Sequence, residues 1–217
     1  MHRYFVRLIT FIAACLVGGA CAAQPGARAA TGPSAGAGAW SPALVDTLVR
    51  LGREDQDGRA ALAQAAAAGD TATLKQSLRA DSARSLWLRR VVREHGWPTR
   101  ASMPDTAAHV AWLILQHSPF YEWQGEMLPT LEELAARGEL PPPDLALFTD
   151  RVLVHRGQPQ RYGTQFNVTG GRLVPAPIAD LPRLDARRAA VGLPPVADYV
   201  RMLGEMYGLP VVWPPAP

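Results

Sequence analysis

The sequence predicts a mainly α-helical domain with one small β-hairpin near its C-terminal third. Three observations carry this. Apolar residues recur at helical spacing from Leu44 to Leu153, and proline, Asp and glycine punctuate the segments. The run Ala107-Ala108-His109-Val110-Ala111-Trp112-Leu113-Ile114-Leu115 is apolar almost all round, as in a helix at the centre of a core. Only between Arg161 and Ile178 does the pattern change to strand type, around the turn Thr169-Gly170-Gly171.

The chain has 217 residues, enough for one domain after a leader and a tether. Its first 23 residues have the three parts of an export signal. Arg3 and Arg7 form a positive start, Leu8 to Val17 an apolar run, and Gly18 to Ala23 a stretch of small residues with Cys21. The apolar run falls short of the ~20 residues a membrane-spanning helix needs. Cys21 after Gly19-Ala20 resembles a bacterial lipoprotein box, with Gly18 where Leu or Val is usual. Cys15 after Ile12-Ala13-Ala14 fits that box locally but leaves a shorter apolar core, and cleavage after Ala20-Cys21-Ala22 is the third option. The expectation is a bacterial cell-envelope protein, with Cys21 lipidated and membrane association through that anchor. Residues 24–40 are dominated by Gly, Ala, Pro and Ser, and read as a disordered tether. The folded domain is expected over 41–208 and an extended tail over 209–217.

Both cysteines, Cys15 and Cys21, lie in the leader, so the domain has no thiol for disulfides, catalysis or metal binding. The chain carries 22 Lys and Arg against 19 Asp and Glu, and two of the arginines are in the leader. The remainder is nearly balanced, which gives no argument for nucleic acid as a partner.

Taken in order, Ser41-Pro42 starts the first helix, with Leu44, Val45, Leu48 and Leu51 at helical spacing. Asp55 and Arg59, four apart, could pair on one face or simply be solvated. The helical pattern continues over residues 60–68 and breaks at Gly69-Asp70. Thr71 to Leu78 reads as a short helix, and Asp81 as the cap of a second, Ser82 to Glu94, with Leu86, Trp87, Val91 and Val92 as its buried side. Gly96 and Pro98 end it. Asp105 caps the helix to His117. Ser118-Pro119 opens the next, which carries Phe120, Tyr121, Trp123 and Gln124 and runs past Pro129 to Gly138. After Pro141-Pro142-Pro143, Asp144 to His155 is helical. Strands at Arg161–Val168 and Arg172–Ile178 follow, Pro175 and Pro177 confining the second to an edge. Leu184–Val191 and Pro195–Tyr207 form the last helical region.

Polar groups suited to directed hydrogen bonds are densest from Asp150 to Phe166. Gly163 within the expected strand suggests a bulge or a close approach. Strand alternation would put Gln160, Tyr162 and Thr164 on one face, and Arg161, Gly163 and Gln165 on the other. These residues either bind a polar ligand or staple the hairpin to the helices. Asp150, in an apolar helix, needs donors or a cation. Arg151 could hold a carboxylate or phosphate in a bidentate grip.

His95, His117 and His155 each stand at a predicted helix end, where imidazole can serve the free carbonyls or act as a general base. Trp97, in a Gly-Pro loop, is a candidate for ligand stacking. The candidate catalytic residues are therefore His117, His95 and Asp150. The candidate ligand-binding residues are Trp97, Gln116, Arg151, Gln160, Tyr162, Thr164 and Gln165. No histidine pair has helical metal spacing, and no metal or cofactor is expected. The chain lacks a G-x-S-x-G elbow, a P-loop and a G-x-G-x-x-G turn.

The segments DQDGR (55–59), HGWPT (95–99), AWLILQH (111–117), DRVLV (150–154), GQPQRYGTQF (157–166) and DARRAAVGLPP (185–195) resemble an uncharacterised family of bacterial domains, from about residue 44 to residue 200. The GWP and QxYGTQ elements are its specific marks. The resemblance implies a single-domain unit and a shared polar constellation, but no activity. Two readings with a site remain at this stage, beside a structural or immunity-type interaction protein with no pocket. One is an envelope protein whose domain binds a small polar ligand or a protein partner. The other is an extracytoplasmic hydrolase or transferase with a histidine general base.

Overall fold

A computed structural model of the chain describes residues 39–213 apart from residue 101. The expected leader with Cys21, nearly all of the expected tether and residues 214–217 of the expected tail therefore lie outside the described residues. The domain is mainly helical with one two-stranded antiparallel hairpin, as the sequence predicts.

Helix α1 (Pro42–Asp57) starts where Ser41 accepts the N–H of Leu44, with Pro42 in its first turn. It lies against α4 (Asp105–Gln116) at Gly52, where an added Cβ would stand 2.6 Å from both methyls of Val110. A glycine is needed there for the two helices to approach. Gly58 separates α1 from α2 (Arg59–Ala68), which closes on the left-handed Gly69.

The largest departure from expectation comes next. Residues 71–95 form one continuous helix, α3 (Thr71–His95), capped by Asp70, whose carboxylate accepts the N–H groups of Ala72 and Thr73. Asp81 does not cap a helix. It is buried in the middle of α3, where cationic partners from other turns neutralise it. The buried face is accordingly Asp81, Arg84, Ser85, Leu88 and Val91, and Leu86 is 54% exposed. An apolar-only pattern missed this face because its first turns are ionic.

Helix α4 sits at the centre of the core as expected, with Ala111 to Gln116 all buried. Helix α5 (Tyr121–Ala136) contains Pro129, which cannot donate to the carbonyl of Gly125. Arg156 Nη2 reaches that carbonyl instead, at 3.4 Å. Helix α6 (Pro142–His155) packs beside α5. Leu131, Leu134, Leu147, Phe148 and Val152 from these two helices join Leu48, Leu88 and α4 in one apolar cluster.

The hairpin is shorter than predicted. Strand β1 (Phe166–Thr169) pairs with β2 (Arg172–Pro175) around Gly170 and Gly171, both at positive φ, as a two-residue hairpin turn of matching twist requires. The outer edge of β2 is taken by the chain end. Leu173 donates to the Pro210 carbonyl at 2.9 Å and accepts from Val212 at 2.8 Å. After a 3-10 turn (Leu181–Arg183) come α7 (Leu184–Ala190) and α8 (Val196–Tyr207). Helix α8 covers the hairpin, with Tyr199 and Leu203 against Phe166 and Leu173 in a second, smaller cluster.

Candidate functional site

Residues 161–165 are an irregular loop, not a strand, and Gln160 makes only an isolated bridge to Ile178, so the predicted alternation of faces does not hold. Gln160, Thr164 and Gln165 are all fully buried. The loop is organised by Asp150 of α6. Its carboxylate accepts the backbone N–H of Arg161 at 2.7 Å and those of Tyr162 and Thr164 at 3.0 Å each, plus the Thr164 hydroxyl at 2.9 Å. Burial pushes the Asp150 carboxyl up, while these four donors favour its ionised form.

Gln160 closes the base of the hairpin. Its Nε2 donates to the carbonyls of Gln165 at 3.0 Å and Ala176 at 2.9 Å, and its Oε1 accepts from Gln165 N at 2.8 Å. Gln165 Nε2 donates to Thr164 Oγ1, and Tyr199 OH to the Thr164 carbonyl. Arg188 donates to the Tyr162 carbonyl and lies over the Tyr199 ring. Of the two roles open to this segment, its hydrogen bonds serve the scaffold. Asp150, Gln160 and Thr164 join hairpin, α6 and α8.

A second constellation stands elsewhere, and the sequence points to only part of it. Asp55, in the last turn of α1, is 1% exposed. It pairs with Arg59 at the start of α2, so the i, i+4 pairing considered from sequence exists, but buried. Arg59 also reaches Asp81 of α3 at 2.7 Å. Arg84, one turn further along α3, binds Asp81 at 2.6 Å and approaches Asp55 at 3.5 Å. Two carboxylates and two guanidiniums thus alternate in a closed ring that ties α1, α2 and α3 together. Such a ring balances its own charge, which is what permits its burial.

His117, the residue after α4, is attached to this ring. Its Nδ1 lies 2.8 Å from Asp55 Oδ2. Burial pushes the His117 pKa down, and the charges of Arg59 and Arg151 act in the same direction against the pull of Asp55. Burial works against the charge of Asp55 too. The hydrogen bond from His117 and the charge of Arg59 nevertheless hold that carboxyl well below the usual range. An ionised Asp55 beside a neutral imidazole requires Nδ1 to carry the proton, which leaves the lone pair on Nε2. No described residue hydrogen-bonds Nε2.

Arg151 follows Asp150 on α6, but adjacent helical residues point about 100° apart. Asp150 turns to the loop, while the charge of Arg151 is felt by both His117 and His155. His155, one turn after Arg151, stacks on Tyr121 with ring centres 3.5 Å apart and planes at 18°. Burial and then Arg151 push its pKa down to about 4. Gln116, beside His117 in the chain, is fully buried, and neither end of its amide has a hydrogen-bond partner among the described residues.

The structure therefore gathers His117, Asp55, Arg59, Asp81, Arg84, Arg151 and His155 with Tyr121 at one end of the bundle. It leaves His95 and Trp97 at the other. Asp81 and His95 are 14 residues apart on one straight helix, about 21 Å. There His95 packs near Trp40, whose Nε1 donates to the Gly96 carbonyl, and Trp97 packs on the core. Asp55, Arg59, Asp81, Arg84, Tyr121 and His155 are absent from the candidates chosen by sequence. The available signals were the DQDGR segment and the Asp81–Arg84 spacing of three, both of which also describe a solvated helix face. Among the described residues no group of three or more His, Cys, Asp or Glu could hold a metal ion, and no helix is long and apolar enough to cross a membrane.

The fold and site define a helical domain that buries an Asp–His pair beside an ionic ring. The chain belongs to a family of unknown function, DUF6624, matched over residues 42–212. No curated protein and no solved structure matches it.

Proposed function

We propose that this is an exported envelope domain that binds a small polar ligand at the Asp55–His117 end of the bundle and uses His117 as a general base. The single observation that carries the reading is the His117 Nδ1 to Asp55 Oδ2 bond of 2.8 Å, which commits one ring nitrogen and leaves the other basic. Asp55 fixes the tautomer and stabilises the imidazolium that proton uptake creates, the division of labour seen wherever a carboxylate orients a catalytic histidine. The buried amide of Gln116 offers a donor and an acceptor to a polar ligand.

The reaction class that suits these groups is acyl transfer to water or a hydroxyl. Nε2 takes the proton as the oxygen attacks the acyl carbon of an ester or amide. The positive charge of Arg151 offsets the negative charge developing on the carbonyl oxygen. His117 then returns the proton to the departing alcohol or amine as the acyl bond breaks, so no co-reactant beyond the nucleophile is needed.

The test is hydrolysis of a panel of small esters and N-acyl compounds by the wild type, His117→Gln and Asp55→Asn. We expect a loss of about 10²–10⁴-fold for His117→Gln, the usual worth of a general base. Turnover unchanged by both substitutions overturns the reading. Export and lipidation are part of the same proposal and rest on the leader. Metabolic palmitate labelling that survives Cys21→Ser would move the anchor to Cys15, and no labelling of the wild type would remove it from the account.

A further inference from the structure

The corner between α4 and α5 carries a feature that the proposed reaction does not use. Gln124, in the first turn of α5, is fully buried, and its Nε2 donates to three main-chain carbonyls. These are Leu115 at 2.8 Å, Gln116 at 3.3 Å and Ser118 at 3.1 Å. The amide orientation follows from the chemistry, since a flipped amide would face three carbonyl oxygens with its own oxygen. The first two carbonyls belong to the last turn of α4, where the regular ladder of donors runs out; that of Leu115 also accepts Ser118 N–H at 3.1 Å. The three acceptors bracket His117 on both sides.

From this clasp we infer that Gln124 is the positioning residue for His117: it holds the backbone around residue 117 so that Nδ1, and not Nε2, faces Asp55. Two further details support the assignment. His117 still donates its N–H to Leu113 O at 3.0 Å, but at φ −93° and ψ 1° its own dihedrals end the helix, so the ladder does not set the chain on its carbonyl side. The hydroxyl of Ser118 stabilises only the next step of the corner, accepting Phe120 N at 3.1 Å, and does not reach the carbonyls around His117. The importance of Gln124 to turnover rests on the general-base reading, whereas its control of the imidazole does not.

The experiment uses the purified full-length protein labelled with ¹⁵N at histidine, with the ring nitrogens of His117 read by NMR across pH. In the wild type, Nδ1 should carry the proton and Nε2 should show an unprotonated signature. Replacing Gln124 by Met removes the donor at similar volume, and we expect the Nε2–H form of His117 to appear as a major species. The apparent pKa of His117 should also rise toward that of an ordinary histidine as the corner loosens. Ser118→Ala, a change in the same corner, should leave the tautomer alone. An unchanged His117 signature in Gln124→Met, whatever the loss of stability, overturns the assignment. Should that variant not fold, Gln124→Asn retains the amide one methylene short, and the same signature decides. A shifted tautomer without any hydrolytic activity in the wild type would refute the reaction while leaving the positioning role intact.

Discussion

Replacing Asp55 by Asn tests the ionic ring and the histidine together. The side chain keeps its size and loses its charge, so Arg59 and Arg84 are left to share Asp81 alone. Removing one partner of a buried ion pair costs about 3–5 kcal/mol, because a charge stays behind without compensation. Here Arg59 retains Asp81 at 2.7 Å, and its side chain is 24% exposed, so the lower end applies, about 3 kcal/mol. The assay is urea unfolding of the purified protein at pH 7. Adding Arg59→Gln restores the balance of charge, and should recover about 1–2 kcal/mol relative to additivity. His117 adds a second readout. Asp55 is the group that favours its protonated form, while Arg59 and Arg151 oppose it. In Asp55→Asn the imidazole should therefore resist protonation to lower pH than in the wild type, as measured by NMR titration. A loss below about 1 kcal/mol, or strict additivity in the double variant, would refute the claim that the ring acts as one unit.

Asp150→Asn should destabilise by about 3 kcal/mol in the same assay, because charge-assisted bonds to three backbone N–H groups and a hydroxyl are weakened at a fully buried position; a neutral effect would return this residue to the list of site candidates. Gly163 lies at φ +65° with Leu184 Cδ2 3.3 Å from where a Cβ would stand, whereas Gly157 at φ +70° has nothing within 4 Å. Thermal unfolding should therefore rank Gly163→Ala below Gly157→Ala, the latter losing only the ~1 kcal/mol of a left-handed L-residue. His155 titrates at about 4 in the folded protein against 6.5 for an ordinary histidine. The unfolded chain then takes up the proton first, so stability is intact above pH 6.5 and falls as the pH drops from there to about 4. The side chain is partly open to solvent, which limits the loss to about 1–2 kcal/mol. His155→Phe keeps a ring against Tyr121 and should flatten that slope in urea titrations from pH 7 to pH 4.

Much of the architecture was legible because it rests on local signals. Ser41-Pro42 begins α1, Gly69, Gly96 and Gly208 stand at helix ends, and Gly170-Gly171 turns the hairpin. Each of these depends on a backbone preference carried by one or two residues. The division of 71–95 into two helices failed for a physical reason as well. Asp81 looks like a cap because a free carboxylate prefers a helix start, and only Arg59 and Arg84 make it acceptable in mid-helix. Among candidate residues, the density of polar groups from Asp150 to Phe166 was visible, but density does not distinguish a carboxylate that feeds its own loop from one that awaits a ligand. Arg151 and His117 come near one another because α6 and α4 happen to present them to the same end of the bundle.

The sequence by itself determined the helical class, the central place of α4, the hairpin, and the absence of cysteine from residues 39–213, since these follow from periodicity, turn chemistry and composition. Tertiary structure alone decided that Asp55, Arg59, Asp81, Arg84 and His117, spread over 62 residues of chain, form one buried assembly, and that His95 stands apart from it. Electrostatic partners are chosen by distance in space and by exclusion of water. Neither quantity is written in the spacing of residues along four different helices.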